Sequence, residues 1–414
     1  MKYVVIGASA AGCNAIKKLR ELKPTDEIIL ISQDTAIYSR CILYHHIKGI
    51  RNLEQLNFVG LDFIEKYNVE WINGVSAIGV DIEKQCVKLD NGQQVFYDSL
   101  LIATGSHTNF PPIPGLKEAK NVVGFRNFSD VEEIERRLPD VQNIFVMGAG
   151  LVGIDVIAGL LPHKKNISLA DMGPYMLPIQ LDEVTAKTYE DLFAKEGVQQ
   201  FYSTGAKEFR LDETGNCYEV ELSNGEVLPT DLVINCAGVR ANVEFLADSG
   251  IECDRFGLIY DLHGKTNIDN IYGAGDVSGR SPIWPVAVKE GMIAAYNMCG
   301  IEKTMDDFFA SKSTMNFLGV PTMSLGNVNK YDETYSVVID QDKKGNYKKI
   351  VHKDGVIVGA LIQGDLSYTG VLTQLIRRKI DVSKIKKPLF KVDYSDFFRM
   401  KDNFEFMYEK EANE

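Results

Sequence analysis

A short glycine-rich turn between an apolar run and a helix-like run occurs twice in this chain, and this repetition constrains the fold more than any other feature. The first copy lies in KYVVIGASAAGCNAIKKLRELKPTDEIILIS, residues 2–32, and the second in NIFVMGAGLVGIDVIAGLLPHKKNISLADMG, residues 143–173. In both copies an apolar strand-like run precedes the turn, apolar residues at helical spacing follow it, and a second apolar run closes the unit. Each copy is therefore predicted to form a strand–turn–helix–strand unit of a parallel sheet.

Both turns have the spacing that brings the backbone close to a pyrophosphate. The second turn has glycine at all three fingerprint positions, whereas the first has serine at the middle one. Glycine permits the close approach, and the helix that follows begins with free N–H groups and a partial positive charge. We therefore predict two dinucleotide sites, although a glycine turn also occurs in α/β folds that bind no nucleotide. The predicted contacts are Gly7, Ser9, Ala11 and Gly12 in the first turn and Gly148, Gly150 and Gly153 in the second.

The residue at the end of the second strand in each unit predicts how a nucleotide ribose is held. In the second unit this residue is Asp171, and the Met-Gly pair that follows it supplies no cation for a 2′-phosphate, so NADH is favoured over NADPH. The alternative for Asp171 is a solvated strand-end carboxylate. The first unit has no acid at the strand end, and either Ser32 or Asp34 is predicted to meet the ribose there. Two dinucleotides in one chain indicate hydride transfer between nicotinamide and flavin.

Composition narrows the class of protein. A length of 414 residues predicts two or three domains. The net charge of −12 argues against nucleic-acid binding, which needs a basic face. The seven cysteines are scattered and show no metal-ligand spacing, so no metal is predicted. Because the chain also lacks a run of about 18 apolar residues, we predict a cytoplasmic protein without a membrane span, and its oligomeric state stays open.

Three further motifs extend the pattern: LLIATGS at 100–106, INCAGVRAN at 234–242 and NIYGAGDVSG at 270–279. With the two turns, they resemble the pyridine nucleotide–disulfide oxidoreductase superfamily of two-dinucleotide flavoprotein reductases, which implies FAD and NAD as cofactors. The resemblance implies that the chain crosses between the FAD and NAD domains at Ala103, Thr104 and Gly105. It also implies that Gly275 and Asp276 approach the ribityl and pyrophosphate of FAD, where the Asp276 carboxylate accepts hydrogen bonds from ribityl hydroxyls.

YSRCIL at 38–43 and IWPVAVKEGMIAAYNMCG at 283–300 are similar to the branch that contains NADH:rubredoxin reductases and the flavoprotein part of nitrite reductases. This resemblance implies that Arg40 neutralises an FAD phosphate, unless it forms a surface salt bridge. It also places Trp284 beside the flavin, Ala77 at the adenine, and Asp155 near the flavin rather than at the phosphates.

The resemblance implies an α/β fold with two Rossmann-like domains and a smaller α/β carboxyl-terminal domain. The expected divisions are an FAD domain at 1–112 and 237–312, an inserted NAD domain at 113–236, and a carboxyl-terminal domain at 313–414 that ends in an aromatic-rich tail. Within the last domain, residues 377–387 hold six basic residues and one acid. This segment is either a solvated helix end or a docking surface for an acidic electron carrier.

Cys41 replaces a proline of the rubredoxin-reductase branch and falls where NADH oxidases, NADH peroxidases and coenzyme A disulfide reductases carry a redox cysteine. The sequence leaves two roles open for it, a redox thiol and a packing residue. The leading prediction is an FAD-dependent NADH oxidoreductase that passes electrons to rubredoxin, ferredoxin or an iron–sulfur subunit. The alternatives are a Cys41-dependent peroxidase, oxidase or coenzyme A disulfide reductase, and a flavoprotein that acts mainly as a docking or sensing module.

Overall fold

The computed structural model describes residues 1–280, 282–305, 312–329 and 331–408. Within these residues the chain divides into two compact units. The first comprises Met1–Tyr175 and Phe193–Ala310, and the second comprises Met176–Leu192 and Ser311–Glu414. The predicted boundary at residue 312 adjoins residues 306–311, which lie outside the described residues, as do residues 409–414 of the predicted tail.

The helices and strands follow one another along the chain in four stretches. Residues 2–108 contain β1 (Lys2–Ile6), α1 (Ala10–Leu22), β2 (Glu27–Ser32), α2 (Tyr44–Ile47), α3 (Phe63–Lys66), β3 (Glu70–Asn73), β4 (Ala77–Asp81), β5 (Cys86–Leu89), β6 (Gln94–Phe96), β7 (Ser99–Ile102) and β8 (Ser106–Thr108). Residues 122–241 contain β9 (Val122–Gly124), α4 (Phe128–Arg137), β10 (Asn143–Met147), α5 (Leu151–Leu160), β11 (Asn166–Ala170), α6 (Glu183–Lys195), β12 (Gln199–Phe201), β13 (Ala206–Leu211), β14 (Cys217–Leu222), β15 (Val227–Pro229), β16 (Leu232–Asn235) and β17 (Val239–Ala241). Residues 271–298 contain β18 (Ile271–Gly273) and α7 (Trp284–Met298). Residues 312–408 contain β19 (Lys312–Phe317), β20 (Val320–Gly326), β21 (Ser336–Gln341), β22 (Tyr347–Lys353), β23 (Val356–Gln363), α8 (Thr369–Arg377), β24 (Phe398–Met400) and β25 (Phe406–Tyr408).

The first unit is built on two parallel sheets of five strands each. Their orders are β18-β7-β1-β2-β3 and β12-β11-β10-β16-β9, and every pairing within them is parallel. Each predicted glycine turn joins the central strand of one sheet to a helix, β1 to α1 and β10 to α5. Because parallel strands end at the same edge, both turns lie at the carboxyl edge of their sheet. The prediction of two Rossmann-like units in an α/β fold is confirmed.

The apolar spacing of α1 explains why it packs on its sheet. Ala15, Ile16 and Leu19 are buried and join Tyr3 of β1 and Leu30 of β2 in one hydrophobic cluster. Residues three and four positions apart share one face of a helix, so this face lies against the sheet. Burying each large apolar side chain contributes on the order of 1.5–3 kcal/mol.

The second unit is built on an antiparallel sheet with the order β19-β20-β23-β22-β21. Helix α8 contributes Leu372, Leu375 and Ile376 to its core. Residues 176–192, which the sequence groups with the NAD domain, belong to this unit: the Tyr189 hydroxyl donates to the Val320 carbonyl at 2.7 Å, and the Lys349 ammonium pairs with the Asp182 carboxylate at 3.1 Å. The finer three-domain division stays a prediction. Among the described residues, every helix is too short or too polar to cross a bilayer.

Candidate functional site: a cavity at the first glycine turn

A cavity of about 850 Å³ opens at the carboxyl edge of the first sheet. Ile6 at the end of β1 and Ile31 near the end of β2 line it, together with Ala103 directly after β7. The carboxyl ends of neighbouring parallel strands are the place where α/β sheets bind ligands, because the connecting loops separate there. The cavity therefore lies where the glycine turn predicts a nucleotide.

The first turn can form only with glycine at two of its positions. Gly7 has a φ of +117°, and a Cβ added to it would lie 2.1 Å from the Ala103 carbonyl oxygen. A Cβ on Gly12 would lie 1.9 Å from the Gly7 carbonyl oxygen. Gly12 does not line the cavity itself and instead lets α1 pack close to the turn. Ser9 and Ala11 line the cavity, and their contact with a nucleotide stays a prediction.

Gly275 and Asp276 also line the cavity. Gly275 has a φ of +83°, and a Cβ on it would lie 3.2 Å from the Ala11 Cβ and 3.3 Å from the Ala287 Cβ. The Asp276 carboxylate forms a short ion pair with the Arg126 guanidinium, which also donates to the Ser106 carbonyl at 3.2 Å. Sequence reasoning missed Arg126, which follows the short strand β9. Its only sequence signal is a cation in an otherwise apolar stretch, VVGFRNF.

A second ion pair lies on the cavity wall. The Arg40 guanidinium is 2.5 Å from an Asp34 carboxylate oxygen and stacks 4.9 Å from the centre of the Tyr38 ring. The Tyr38 hydroxyl donates to the other Asp34 oxygen at 2.7 Å. Arg40 is thus engaged in a salt bridge inside a cavity rather than on an open surface. Ser32, the other ribose candidate, donates to the Asp34 carbonyl at 2.7 Å and accepts from the Trp71 indole at 2.9 Å.

The cavity fits a flavin dinucleotide. The Ser106 hydroxyl is buried and finds no hydrogen-bond partner among the described residues, so it is a polar atom suited to a ligand. Gln33, another residue that sequence reasoning missed, offers its amide at the end of β2. The glycine positions leave room where side chains would fill the space. The predicted residues that line the cavity are Gly7, Ser9, Ala11, Ser32, Asp34, Arg40, Cys41, Ala77, Ala103, Thr104, Gly105, Gly275, Asp276 and Trp284.

The second turn repeats this local geometry at the other parallel sheet. Gly148 has a φ of +110°, and a Cβ on it would lie 2.6 Å from the Cys236 carbonyl oxygen. A Cβ on Gly153 would lie 1.9 Å from the Gly148 carbonyl oxygen. Gly150 differs, because a Cβ there would meet no described atom within 4 Å. The middle of this turn is therefore open to a ligand.

Asp171, at the end of β11, binds the turn beside it. Its carboxylate accepts hydrogen bonds from the Ala149 backbone N–H at 2.6 Å and from the Gly173 backbone N–H at 2.5 Å. A carboxylate has about four acceptor positions, so two remain for ribose hydroxyls. The structure thus gives Asp171 a second role that sequence reasoning missed, which is to hold the glycine turn in place.

Cys41 and Asp155, which follows the second turn on α5, belong to the first unit and interact electrostatically. Burial raises the pKa of the Cys41 thiol to about 11, and the Asp155 carboxylate adds to this increase, whereas Arg126 and Arg40 oppose it. The Cys41 side chain is exposed because it lines the cavity. Protein atoms surround the cavity, so the thiol has less water around it than a thiol on the open surface. Burial likewise raises the pKa of Asp155 well above its ordinary range. At neutral pH the thiol is protonated, and a thiol is a far weaker nucleophile than a thiolate.

The fold and the cavity together define the class of two-dinucleotide flavoprotein reductases. Residues 1–291 match the pyridine nucleotide-disulphide oxidoreductase family, and residues 312–380 match the rubredoxin NAD+ reductase carboxyl-terminal domain. The chain therefore belongs to the pyridine nucleotide-disulphide oxidoreductase family. Proteins of this family use FAD and NAD(H).

Curated relatives and solved structures agree with this family. Nitrite reductase [NAD(P)H] of Bacillus subtilis is 27% identical over 392 residues, which are 93% of this chain and 48% of that protein. NADH-rubredoxin oxidoreductase of Clostridium acetobutylicum is 25% identical over 388 residues, 92% of this chain and 95% of that protein. A chain of the covalent putidaredoxin reductase–putidaredoxin complex shares the fold with a TM-score of 0.81 at 20% identity, covering 92% of this chain and 94% of that one. The chain spans about half the length of two Bacillus subtilis relatives, this nitrite reductase and an assimilatory nitrate reductase electron transfer subunit.

Proposed function

We propose that this chain is an FAD-dependent NADH oxidoreductase that passes electrons singly to a protein acceptor of the iron–sulfur or rubredoxin type. The observation that carries the proposal is the pair of glycine turns in one compact unit, of which the first opens on a cavity with an unpartnered buried hydroxyl. A bound flavin accepts two electrons together from nicotinamide and releases them one at a time, as iron centres require.

Different residues bind the two nucleotides, FAD at the first turn and NADH at the second. At the first turn, the backbone and the Ser106 hydroxyl bind the dinucleotide, while Arg40 and Arg126, each paired with a carboxylate, offer their remaining N–H donors to its phosphates. At the second turn, the open Gly150 position admits a pyrophosphate, and Asp171 accepts from a ribose and repels a 2′-phosphate. The expected result is NADH preference and one FAD for each chain.

Two observations support a protein acceptor. The match of residues 312–380 to the rubredoxin reductase carboxyl-terminal domain is accompanied by relatives named for rubredoxin and nitrite reduction. In addition, residues 312–401 hold sixteen basic and nine acidic residues, although the whole chain holds 45 basic and 57 acidic ones. A basic region in an acidic protein increases the rate of encounter with an acidic carrier.

Within the basic segment 377–387, the structure favours two lysines as docking contacts. Lys387 is neutralised by Asp396 at 2.7 Å and Asp393 at 3.5 Å. Lys384 and Lys386 are exposed. We therefore propose that Lys384 and Lys386 attract the acceptor.

The docking test compares two double variants that remove the same charge. Lys384→Gln/Lys386→Gln is expected to slow transfer to a protein acceptor at low salt, with the difference closing as salt rises. Lys48→Gln/Lys117→Gln removes two exposed lysines of the first unit and is expected to leave the rate unchanged. Equal rates for the two variants at low salt would remove the docking proposal while leaving the reductase proposal intact.

The reductase proposal is tested with purified protein, NADH and a panel of acceptors. Rubredoxin or ferredoxin should be reduced faster than oxygen, peroxide or a low-molecular-weight disulfide. Rapid bleaching of the flavin on mixing with NADH, followed by turnover of an acceptor, would eliminate a purely sensing role. A parent protein that binds no flavin after reconstitution would contradict the proposal that the chain is an FAD-dependent reductase.

A Cys41-dependent peroxidase, oxidase or disulfide reductase is the second candidate, because the Cys41 thiol lines the cavity. The raised thiol pKa of about 11 weighs against it. Replacing Cys41 with serine separates the two functions: loss of peroxide or disulfide turnover with retained rubredoxin reduction would assign the thiol a redox role. The seven free cysteines favour the reducing cytoplasm as the site of action.

A further inference from the structure

A half-buried carboxyl group on α7, within the stretch IWPVAVKEGMIAAYNMCG, has been given no role by the family resemblance or by the proposed reaction. Glu290 lies on α7, outside the residues that line the cavity. One of its carboxylate oxygens accepts the Gly275 backbone N–H at 2.8 Å and the Tyr260 hydroxyl at 3.0 Å. Burial raises the pKa of Glu290, and these two hydrogen bonds oppose the increase. A carboxylate held in this way is costly to bury, so its retention calls for a role.

The peptide that Glu290 holds is the one that shapes the cavity wall. Gly275 is held on its N–H side by Glu290 and on its carbonyl side by the Ser278 hydroxyl at 3.3 Å. The Tyr260 hydroxyl lies 3.2 Å from the same carbonyl oxygen, so its single proton is shared between this carbonyl and the Glu290 carboxylate. Its positive φ and the nearness of Ala11 and Ala287 disfavour any residue other than glycine at this position. The next residue, Asp276, presents its carboxylate to the cavity beside Arg126. The orientation of this carboxylate therefore depends on the Gly275 peptide.

The helix that carries Glu290, α7, packs closely against α1. A Cβ on Gly291 would lie 2.2 Å from the Ala11 carbonyl oxygen, so α7 packs directly on the first turn of α1. Glu290 therefore binds Gly275 through its carboxylate, and its chain neighbour Gly291 packs against Ala11 of the first turn of α1. Its carboxylate stays within hydrogen-bond distance of Gly275 as long as this packing holds.

We propose that Glu290 is a positioning residue that orients the Gly275-Asp276 turn for FAD and thereby sets the affinity and the redox potential of the bound flavin. Glu290 acts through the turn and does not touch the reacting atoms. The inference rests on FAD binding and not on the identity of the acceptor. Hydrogen bonds and charges close to a flavin tune its potential, so both properties are expected to respond.

The test uses two substitutions at one position. Glu290→Gln keeps an acceptor for the Gly275 N–H but removes the negative charge, so FAD binding should change by less than about twofold. Its flavin midpoint potential, measured at about pH 8, should rise because a nearby negative charge no longer opposes reduction. Glu290→Leu removes the acceptor as well, leaves a buried N–H unpaired, and should weaken FAD binding about tenfold.

Two controls keep the test decisive. Glu302→Gln removes an exposed carboxylate beyond the far end of α7 and should change neither property. Tyr260→Phe deletes one donor to Glu290 without altering the carboxyl group and should weaken FAD binding by a smaller factor, which guards against misfolding of Glu290→Leu. Parent-like FAD affinity and potential in both Glu290 variants would overturn the proposal. So would equal FAD loss in Glu290→Gln and Glu290→Leu, because the acceptor role predicts a difference. A failure to reduce any protein acceptor would leave these measurements unaffected.

Discussion

The two glycine turns of the first unit share a backbone conformation and differ in what surrounds them. In both, the first glycine has a positive φ and lies against a carbonyl oxygen of a neighbouring loop, that of Ala103 in one case and Cys236 in the other. The first turn opens on a large cavity whose other walls come from Arg126 and Asp276. The second turn has an open middle position and an acid, Asp171, that binds its own backbone.

The same local turn can therefore suit two kinds of nucleotide binding, depending on the residues that surround it. A cavity walled by several elements suits a cofactor that stays bound, since many contacts must break before it leaves. An open turn with a pre-formed acid suits a nucleotide that must enter and leave during turnover. The predictions below test this division, beginning with the largest expected effect.

Replacing Gly7 with alanine is expected to abolish FAD binding. The added Cβ would lie 2.1 Å from the Ala103 carbonyl oxygen at a φ of +117°, so the turn must move away from the cavity. Flavin absorbance after purification and reconstitution measures the effect. A Gly7→Ala protein that keeps its full flavin content would break the comparison, because it would show that the walls, and not the turn, hold the cofactor.

Replacing Gly150 with alanine is expected to spare the fold and FAD binding but to raise the KM for NADH by about tenfold, because a Cβ there takes up part of the open space in a turn that, unlike the first one, has glycine at its middle position. The site tolerates alanine in the free protein, since Gly150 has a φ of −76° and open space around it. Steady-state kinetics with a small dye acceptor and a thermal unfolding curve give the two readouts. An unchanged KM would contradict a nucleotide at this turn.

Replacing Asp171 with alanine is expected to raise the KM for NADH about tenfold through the loss of charged hydrogen bonds, and to affect NADPH less, so that the preference narrows. Asp171→Asn serves as the matched variant, because it keeps an acceptor for the Ala149 N–H and removes the charge that repels a 2′-phosphate. Equal use of NADH and NADPH by the parent protein would show that Asp171 does not select the nucleotide.

The smallest effect is expected at Cys41. Because burial raises its thiol pKa to about 11, alkylation of Cys41 at neutral pH should be slow and should increase through the alkaline range towards that value. Because the thiolate fraction falls as the pH decreases below the pKa, the alkylation rate should fall as the pH is lowered. Peptide mapping after timed alkylation measures the rate. Fast alkylation at neutral pH would indicate an activated thiol and would strengthen the oxidase or disulfide reductase alternative.

Several parts of the site were predictable because they depend on local sequence. The spacing of Gly7, Gly12, Gly148 and Gly153 reflects steric demands within a few residues, so pattern reading located both turns. The residues carried over from the family resemblance at 103–105 and 275–276 also line the cavity. Gly12 is the exception among the first-turn predictions, since it packs the helix and does not reach the cavity.

Other features could not be read from the sequence because they join distant positions. Arg126 meets Asp276 across 150 residues, and no spacing rule connects them. Segment 176–192 follows the second glycine turn and its helix in sequence, yet it belongs to the second compact unit, where Asp182 pairs with Lys349. A periodic pattern tells which face of an element is buried, but it does not tell what lies against that face.

By itself, the sequence determined the two strand–turn–helix–strand units, the glycine positions that they require and the carboxylate at the end of β11, since these follow from backbone sterics over short distances. Only the tertiary structure decided which charges face one another on the cavity wall, that Glu290 holds the Gly275 peptide, and that burial raises the pKa of the Cys41 thiol. Ion pairing and desolvation depend on neighbours brought together by folding, and the same side chain has a different pKa in different surroundings.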